Sequence, residues 1–343
     1  TPLMVACRQG YDEAAHSLLQ GNAEVNLTDS DGWTALMSTA YSGDIQLVEE
    51  LLKRGADVDA VNNDGWTAVN FALEAEATEL ARHLIHKGAP VNAAARLTLG
   101  VLEHHPKSIT QAAERGADPN LYIGRFPAVV KACQLGFGHR DVVKALLSAG
   151  AWPGPKASKD IKAQRDAVKG VKEGPSGEED GESEPHTPGP PYPITVASSN
   201  GFLDIVDLLL EWGASPSPPL AFGESALGCA SKSGHIDIVN RLLDAGADPN
   251  QRVVSGKTPL MLATAPGHCQ VVSSLLERGA DPNLAAKNGT TALMLAAQKG
   301  QGEVARRLLD AGADIHLQNN THTDALLYAC TFGHTEIVEA LLE

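Results

Sequence analysis

The chain has 343 residues and a formal net charge of −15, which argues against a protein that grips a nucleic-acid backbone through Lys and Arg. It is too long for one growing core, and its 43% hydrophobic content is only 4% aromatic, so many small Ala, Leu and Val cores are expected. No run of eighteen apolar residues exists to span a membrane, and no signal-peptide pattern stands at the start.

Taken in order, the chain opens on Thr1-Pro2-Leu3-Met4. The Thr hydroxyl can accept from an orphan backbone N–H, and Pro at the first helical position loses no bond, so a helix starts there. Similar openings return at Thr34, Thr67, Ser225, Thr258 and Thr291. Each first helix runs through small apolar residues and stops near a glycine able to turn left-handed: Gly10, Gly43, Gly201, Gly234, Gly267, Gly300 and Gly333. A second helix follows. Between Ile236 and Leu243 apolar residues recur at helical spacing while Asp237, Asn240 and Arg241 stay on the wet side. It closes on Gly-Ala-Asp or a near copy, at Gly55, Gly88, Gly116, Gly150, Gly213, Gly246, Gly279 and Gly312. Polar stretches such as Asp29-Ser30-Asp31-Gly32 and Asn62-Asn63-Asp64-Gly65 then carry the chemistry of a hairpin-like turn.

Helix, turn, helix and loop at a spacing of thirty-three residues, with a Thr-Pro-Leu opening, resembles the ankyrin repeat. The resemblance implies an all-α fold: an ankyrin-repeat solenoid of stacked helix-turn-helix units with hairpin-like loops. Ten repeats are expected, starting near Thr1, Thr34, Thr67, Leu97, Pro127, Tyr192, Ser225, Thr258, Thr291 and Asp324. Residues 1–155 hold the first five, 156–191 form an insertion, and 192–343 hold the last five, the tenth cut short. Both ends fall inside a repeat and lack a polar cap, so a piece of a longer polypeptide is expected.

The departures from the family pattern carry expectations of their own. The family places His after Thr-Pro-Leu, where its imidazole ties neighbouring loops; here Met4, Met37, Met261 and Met294 stand there. Those ties should be missing, and the Met side chains either fill the space as apolar matter or line an adaptable partner groove. In the third repeat Glu74 to Glu79 replace the turn glycine, the fourth is shortened and carries His104-His105-Pro106, and the fifth has two extra residues at its turn. These irregular repeats are expected to be the least stable.

Residues 156–191 run from lysine-rich to acidic to proline-rich without apolar periodicity, as a disordered segment does. They read as a solvated linker, or as a regulatory loop with phosphorylation at Ser176, which has Glu179 three residues on, and at Thr187, which precedes Pro188. Asn250 matches the loop Asn that asparaginyl hydroxylase modifies in some members of the family; the plainer reading is an unmodified residue bracing its own turn.

No catalytic or cofactor motif is complete. Gly256-Lys257-Thr258 resembles the end of a phosphate loop but has Gln251 where that loop needs Gly. His104 and His105 lack metal-ligand spacing, and His139, His235, His268 and His334 follow the turn glycine as structural residues. Five scattered cysteines suit free thiols in a reducing compartment, four of them as small buried hydrophobes of first helices. An intracellular protein, cytoplasmic or nuclear, without enzymatic activity or cofactor is therefore expected.

The resemblance implies partner contacts at variable positions of the loops and first helices. In the first half these are Asp31, Trp33, Tyr41, Asp64 and Trp66, with the two Trp rings expected to stack as exposed neighbours joined by Tyr41. In the second half they are Phe222, Lys232, Lys257, Lys299 and Phe332, a more cationic set. Aromatic anchors among polar residues suit a protein or peptide partner. Two functions follow: an interaction scaffold or adaptor in signalling, or the targeting arm of a larger enzyme, channel or signalling protein.

Overall fold

A computed structural model describes residues 1–136, 139–155, 191–218 and 224–343. The chain divides into two compact bodies, Thr1–Trp152 and Pro153–Glu343, each built of helix pairs. The N-terminal body pairs α1 (Pro2–Gln9) with α2 (Asp12–Gln20), α3 (Ala35–Ser42) with α4 (Ile45–Lys53), and α5 (Ala68–Glu74) with α6 (Thr78–His86). It continues with α7 (Ala93–Leu102) and α8 (Pro106–Glu114), then α9 (Ala128–Leu135) and α10 (Arg140–Ser148). The C-terminal body pairs α11 (Pro193–Asn200) with α12 (Leu203–Glu211), α13 (Ala226–Ser233) with α14 (Ile236–Asp244), and α15 (Pro259–Thr264) with α16 (Cys269–Glu277). Its last pairs are α17 (Ala292–Lys299) with α18 (Gly302–Asp310) and α19 (Ala325–Phe332) with α20 (Thr335–Leu342).

The helix starts lie where side-chain chemistry puts them. Thr34 and Thr291 accept hydrogen bonds from the backbone N–H groups of Met37 and Met294 at 3.2 and 3.3 Å, and Ser225 accepts from Gly228 at 3.0 Å. Each such cap is worth about 1 kcal/mol. First helices lie between neighbours and are buried nearly all round, as Ala292 to Ala297 show, while second helices such as α14 bury the single stripe Ile238, Val239, Leu242 and Leu243.

The loops are hairpin-like, closed by bonds such as Trp66 carbonyl to Asn62 N–H at 2.9 Å. One of them reaches strand geometry, with β1 (Tyr122–Ile123) antiparallel to β2 (Phe126–Pro127). Successive loops also bond edge to edge: Asn63 N–H donates to the Asp31 carbonyl at 3.0 Å, and Asn320 N–H to that of Asn288 at 3.0 Å.

Three expectations differ from the structure. The fourth repeat starts at Asn92, not near Leu97, because the Asn92 carboxamide oxygen caps α7 by accepting from Ala95 N–H at 2.8 Å. The shortening therefore removes the projecting loop and leaves a full helix of ten residues.

The methionines take the first of their two readings. Met4, Met37, Met261 and Met294 are all 5% exposed or less, so they fill the core and line no partner groove. Inter-repeat ties are nonetheless present, made by asparagine. Asn250 donates its amide to the Gly279 carbonyl at 3.1 Å and accepts from Asp281 N–H at 2.9 Å, and Asn26 and Asn283 do the same one repeat on from themselves. Asn250 is the second difference: it rivets the next repeat, while Asp248, accepting from Asn250 N–H at 2.9 Å, braces the turn. Finally, Cys7, Cys133 and Cys229 are buried but Cys330 is exposed, because the last first helix has no neighbour beyond it among the described residues.

The irregular repeats keep their turns without glycine. Glu76 and His104 take φ values of 59° and 60°, a left-handed conformation costing a non-glycine residue about 1 kcal/mol or more. Each is held by a side-chain contact two repeats or one repeat further on. Glu76 pairs at 2.5 Å with Lys131, itself 8% exposed, and His104 Nε2 lies 2.6 Å from Nδ1 of His139, which is 1% exposed.

That histidine pair predicts a pH dependence. Burial depresses the His139 pKa, and the neighbouring His104 depresses it further. An unfolded His binds its proton near pH 6.5. Below that value the unfolded chain takes up a proton that the folded chain refuses, so stability falls as the pH drops from about 6.5 toward the depressed value. The thermal midpoint of the intact chain should fall over that window and do so less in His139→Gln; equal slopes would contradict the assignment.

Candidate partner-binding surface

The aromatic residues of the second and third repeats form a row. Trp33 and Trp66 stand at loop bases fixed by the carboxylate of Asp29 and the carboxamide of Asn62, which accept from their backbone N–H groups at 2.9 and 2.8 Å. Both rings are half-buried against the core and are not exposed neighbours joined by Tyr41. Phe71 touches both, with ring centroids 4.0 Å from Trp33 and 5.3 Å from Trp66, and is itself 3% exposed. Tyr41 meets Trp33 edge-on at 6.4 Å and remains 46% exposed at the end of the row. The Arg8 guanidinium lies 4.3 Å above the Trp33 ring, a cation–π contact. Asp31 and Asp64 are exposed at the loop tips beside it.

Phe71 points to a position that reading the loops and helix ends passes over. It is the fourth residue after the cap Thr67, and the equivalent residues are Val5, Ser38, Cys229, Leu262, Leu295 and Tyr328. Their variation at a fixed place in the repeat was the available signal.

In the C-terminal body two of the expected residues meet at a groove of about 320 Å³. Lys232 at the end of α13 and Lys257 at the loop base line it, over a floor of Cys229, Val253 and Leu262. Glu224 borders it and accepts from the Cys229 thiol at 3.3 Å; burial, and then Glu224, push that thiol up to about 12, so it is inert as a nucleophile. Lys299 is exposed at the end of α17. Phe332 is 52% exposed and stacks on Tyr328 and His334, each at 6.4 Å. Phe222, Ser176 and Thr187 lie outside the described residues.

The opposite side has a different character. A second hollow of about 650 Å³ lies over α14 and α16, and six of its polar side chains bond one another: Ser274 donates to Asn240 at 2.5 Å, Arg278 pairs with Asp244 at 2.7 Å, and Arg307 bonds Ser273. Arg241 pairs with Asp207 and Arg306 with Glu336, at 2.5 and 2.6 Å. The second helices thus use their charges to join neighbours. Among the described residues no three His, Cys, Asp or Glu side chains gather as metal ligands, and no helix is long and apolar enough to cross a membrane.

Stacked helix pairs joined by edge-bonded loops, with variable side chains on the loop and first-helix side, define a helical-repeat binding module. A family model described as ankyrin repeats (3 copies) matches residues 3–95, 194–286 and 261–343, and the chain belongs to that family. Repeats of this kind are in general protein–protein interaction modules. The matches stop at residue 95, within the first turn of α7, and resume at 194, so two of the three irregular repeats, α7 to α10, lie almost wholly outside them and still fold as helix pairs. No curated protein matches the chain.

Proposed function

We propose that this chain is a non-catalytic scaffold that holds a protein or peptide partner on the loop and first-helix side of its repeats. One observation carries the proposal. In the C-terminal body, every Arg on or at the end of a second helix is ion-paired, whereas Lys232, Lys257, Lys287 and Lys299, on the loops and first helices, pair with no carboxylate among the described residues. Charged side chains that form no ion pair within the described fold and share one side are available to a partner. The aromatic row of the N-terminal body supplies the apolar contact that interface anchors need.

Affinity capture with the intact chain tests this, provided the substitutions spare the core. Trp33→Ala with Trp66→Ala would also loosen the packing around Phe71, so Tyr41→Ala, Asp31→Lys and Asp64→Lys are the cleaner probes for the first body, and Lys232→Glu with Lys257→Glu for the second. Loss of the main captured protein in at least one set, with unchanged helical content, is the expected result. Retention in both sets would sink the proposed surface.

A further inference from the structure

We propose that the Lys232–Lys257 groove of the C-terminal body binds an extended acidic peptide with apolar residues between its carboxylates. This rests on the loop and first-helix side being the partner surface, and it adds the chemistry of the partner.

The charge distribution leads to it. The chain carries a formal net charge of −15, yet the four described lysines of the C-terminal body all lie on one side. Lys232 and Lys257 line the same groove, and Lys287 belongs to the next loop, whose backbone N–H donates to the Ser255 carbonyl at 3.3 Å. The loops approach so closely that a Cβ on Gly256 would stand 2.7 Å from the Lys287 nitrogen. Three consecutive repeats therefore each present a lysine, from the end of α13, the base of one loop and the tip of the next. None has a carboxylate partner among the described residues, and the acidic residue that borders the groove, Glu224, takes its hydrogen bond from Cys229. Cations held unpaired at a groove keep their full attraction for an anionic ligand, because no internal salt bridge must be broken on binding.

The floor decides the class of anion. Val253 and Leu262 line it and Val254, beside them, is 59% exposed, so the groove offers apolar contact along with charge. An extended peptide sends successive side chains to opposite faces, so carboxylates can meet the lysines while apolar residues settle on the floor. A polynucleotide fits less well. It gains mainly from phosphate contacts and base stacking, whereas the described residues that line the groove include no aromatic ring and place the Glu224 carboxylate at its border.

The test is fluorescence anisotropy with the intact chain and a labelled peptide of about twelve residues alternating Glu and Val, long enough to cross three loops. A Gln/Val peptide of equal length and an oligothymidine of equal charge serve as comparators. The Glu/Val peptide should bind with an affinity that falls with added salt, and Lys232→Glu with Lys257→Glu should weaken it at least about tenfold. Lys232→Ser with Lys257→Ser, the milder pair, should weaken it in the same direction at unchanged circular dichroism. Equal binding of the Gln/Val peptide, tighter binding of the oligothymidine, or no effect of either lysine pair would overturn the proposal. If the acidic peptide fails while the same lysine substitutions still abolish capture of a cellular partner, the partner surface stands and its acidic-peptide chemistry falls.

Discussion

Replacing Phe71 with Ala should destabilise the N-terminal body by about 3–5 kcal/mol, the usual cost of truncating a buried aromatic ring. The ring is 3% exposed and touches both Trp33 and Trp66, so its loss opens a cavity under both indoles. Chemical denaturation followed by circular dichroism measures the first effect. Tryptophan emission measures the second, and it should shift to the red as water reaches the rings. Phe71→Leu refills much of the volume and should cost less than Phe71→Ala by at least about 1 kcal/mol. A cost below about 1 kcal/mol for Phe71→Ala would mean that the aromatic row is ornament to the fold and that the Trp rings are held by their loops alone.

Gly289→Ala should be, with Gly256→Ala, among the most damaging glycine substitutions of the C-terminal loops. Its φ of +79° alone would cost an alanine about 1–2 kcal/mol. The new Cβ would also stand 2.8 Å from the Asn319 Cα and 2.9 Å from the Asn320 backbone nitrogen, atoms that move only with the next loop. Forcing the loops apart breaks the bond from Asn320 N–H to the Asn288 carbonyl, 3.0 Å long, and adds an overpacking cost of about 1–3 kcal/mol. Gly279→Ala supplies the comparison: its φ is +86° and a Cβ there meets nothing within 4 Å. The difference between the two denaturation midpoints isolates the loop contact, and equal midpoints would show that the loops slide apart at no cost.

Much of the fold could be read from single residues, and the reasons it could not be read elsewhere are physical. A capping Thr or Ser and a left-handed Gly are local devices, so Thr34, Ser225, Gly43 and Gly234 mark their helix ends without knowledge of the rest of the chain. Glu76 and His104 fill the same left-handed role with φ of 59° and 60°, His322 takes the place of a loop glycine with φ of 55°, and no local rule singles them out. The start of the fourth repeat is hidden for a related reason: the residues equivalent to Asn92, such as Asn26 and Asn250, rivet one repeat to the next, and Asn92 caps a helix.

The site was legible by register and illegible by contact. Counting within the repeat places Lys232 and Lys257 on the same side, and the structure brings them to one groove. The same counting could not show that Trp33 and Trp66 are half-buried, because the ring that buries them, Phe71, belongs to a first helix and reaches a loop of the preceding repeat. Nor could it show that the four methionines are core residues, since an apolar side chain reads alike in a groove and in a core.

The central claim is that partners are held by loops and first helices, and hydrogen exchange of the intact chain with and without its captured partner tests it most directly. The account predicts added protection in the loop N–H groups around Trp33, Trp66 or Lys257 and at the ends of α3 or α13, with the second helices unchanged. Protection confined to α14, α16 and α18, where the arginines are already paired, would contradict it.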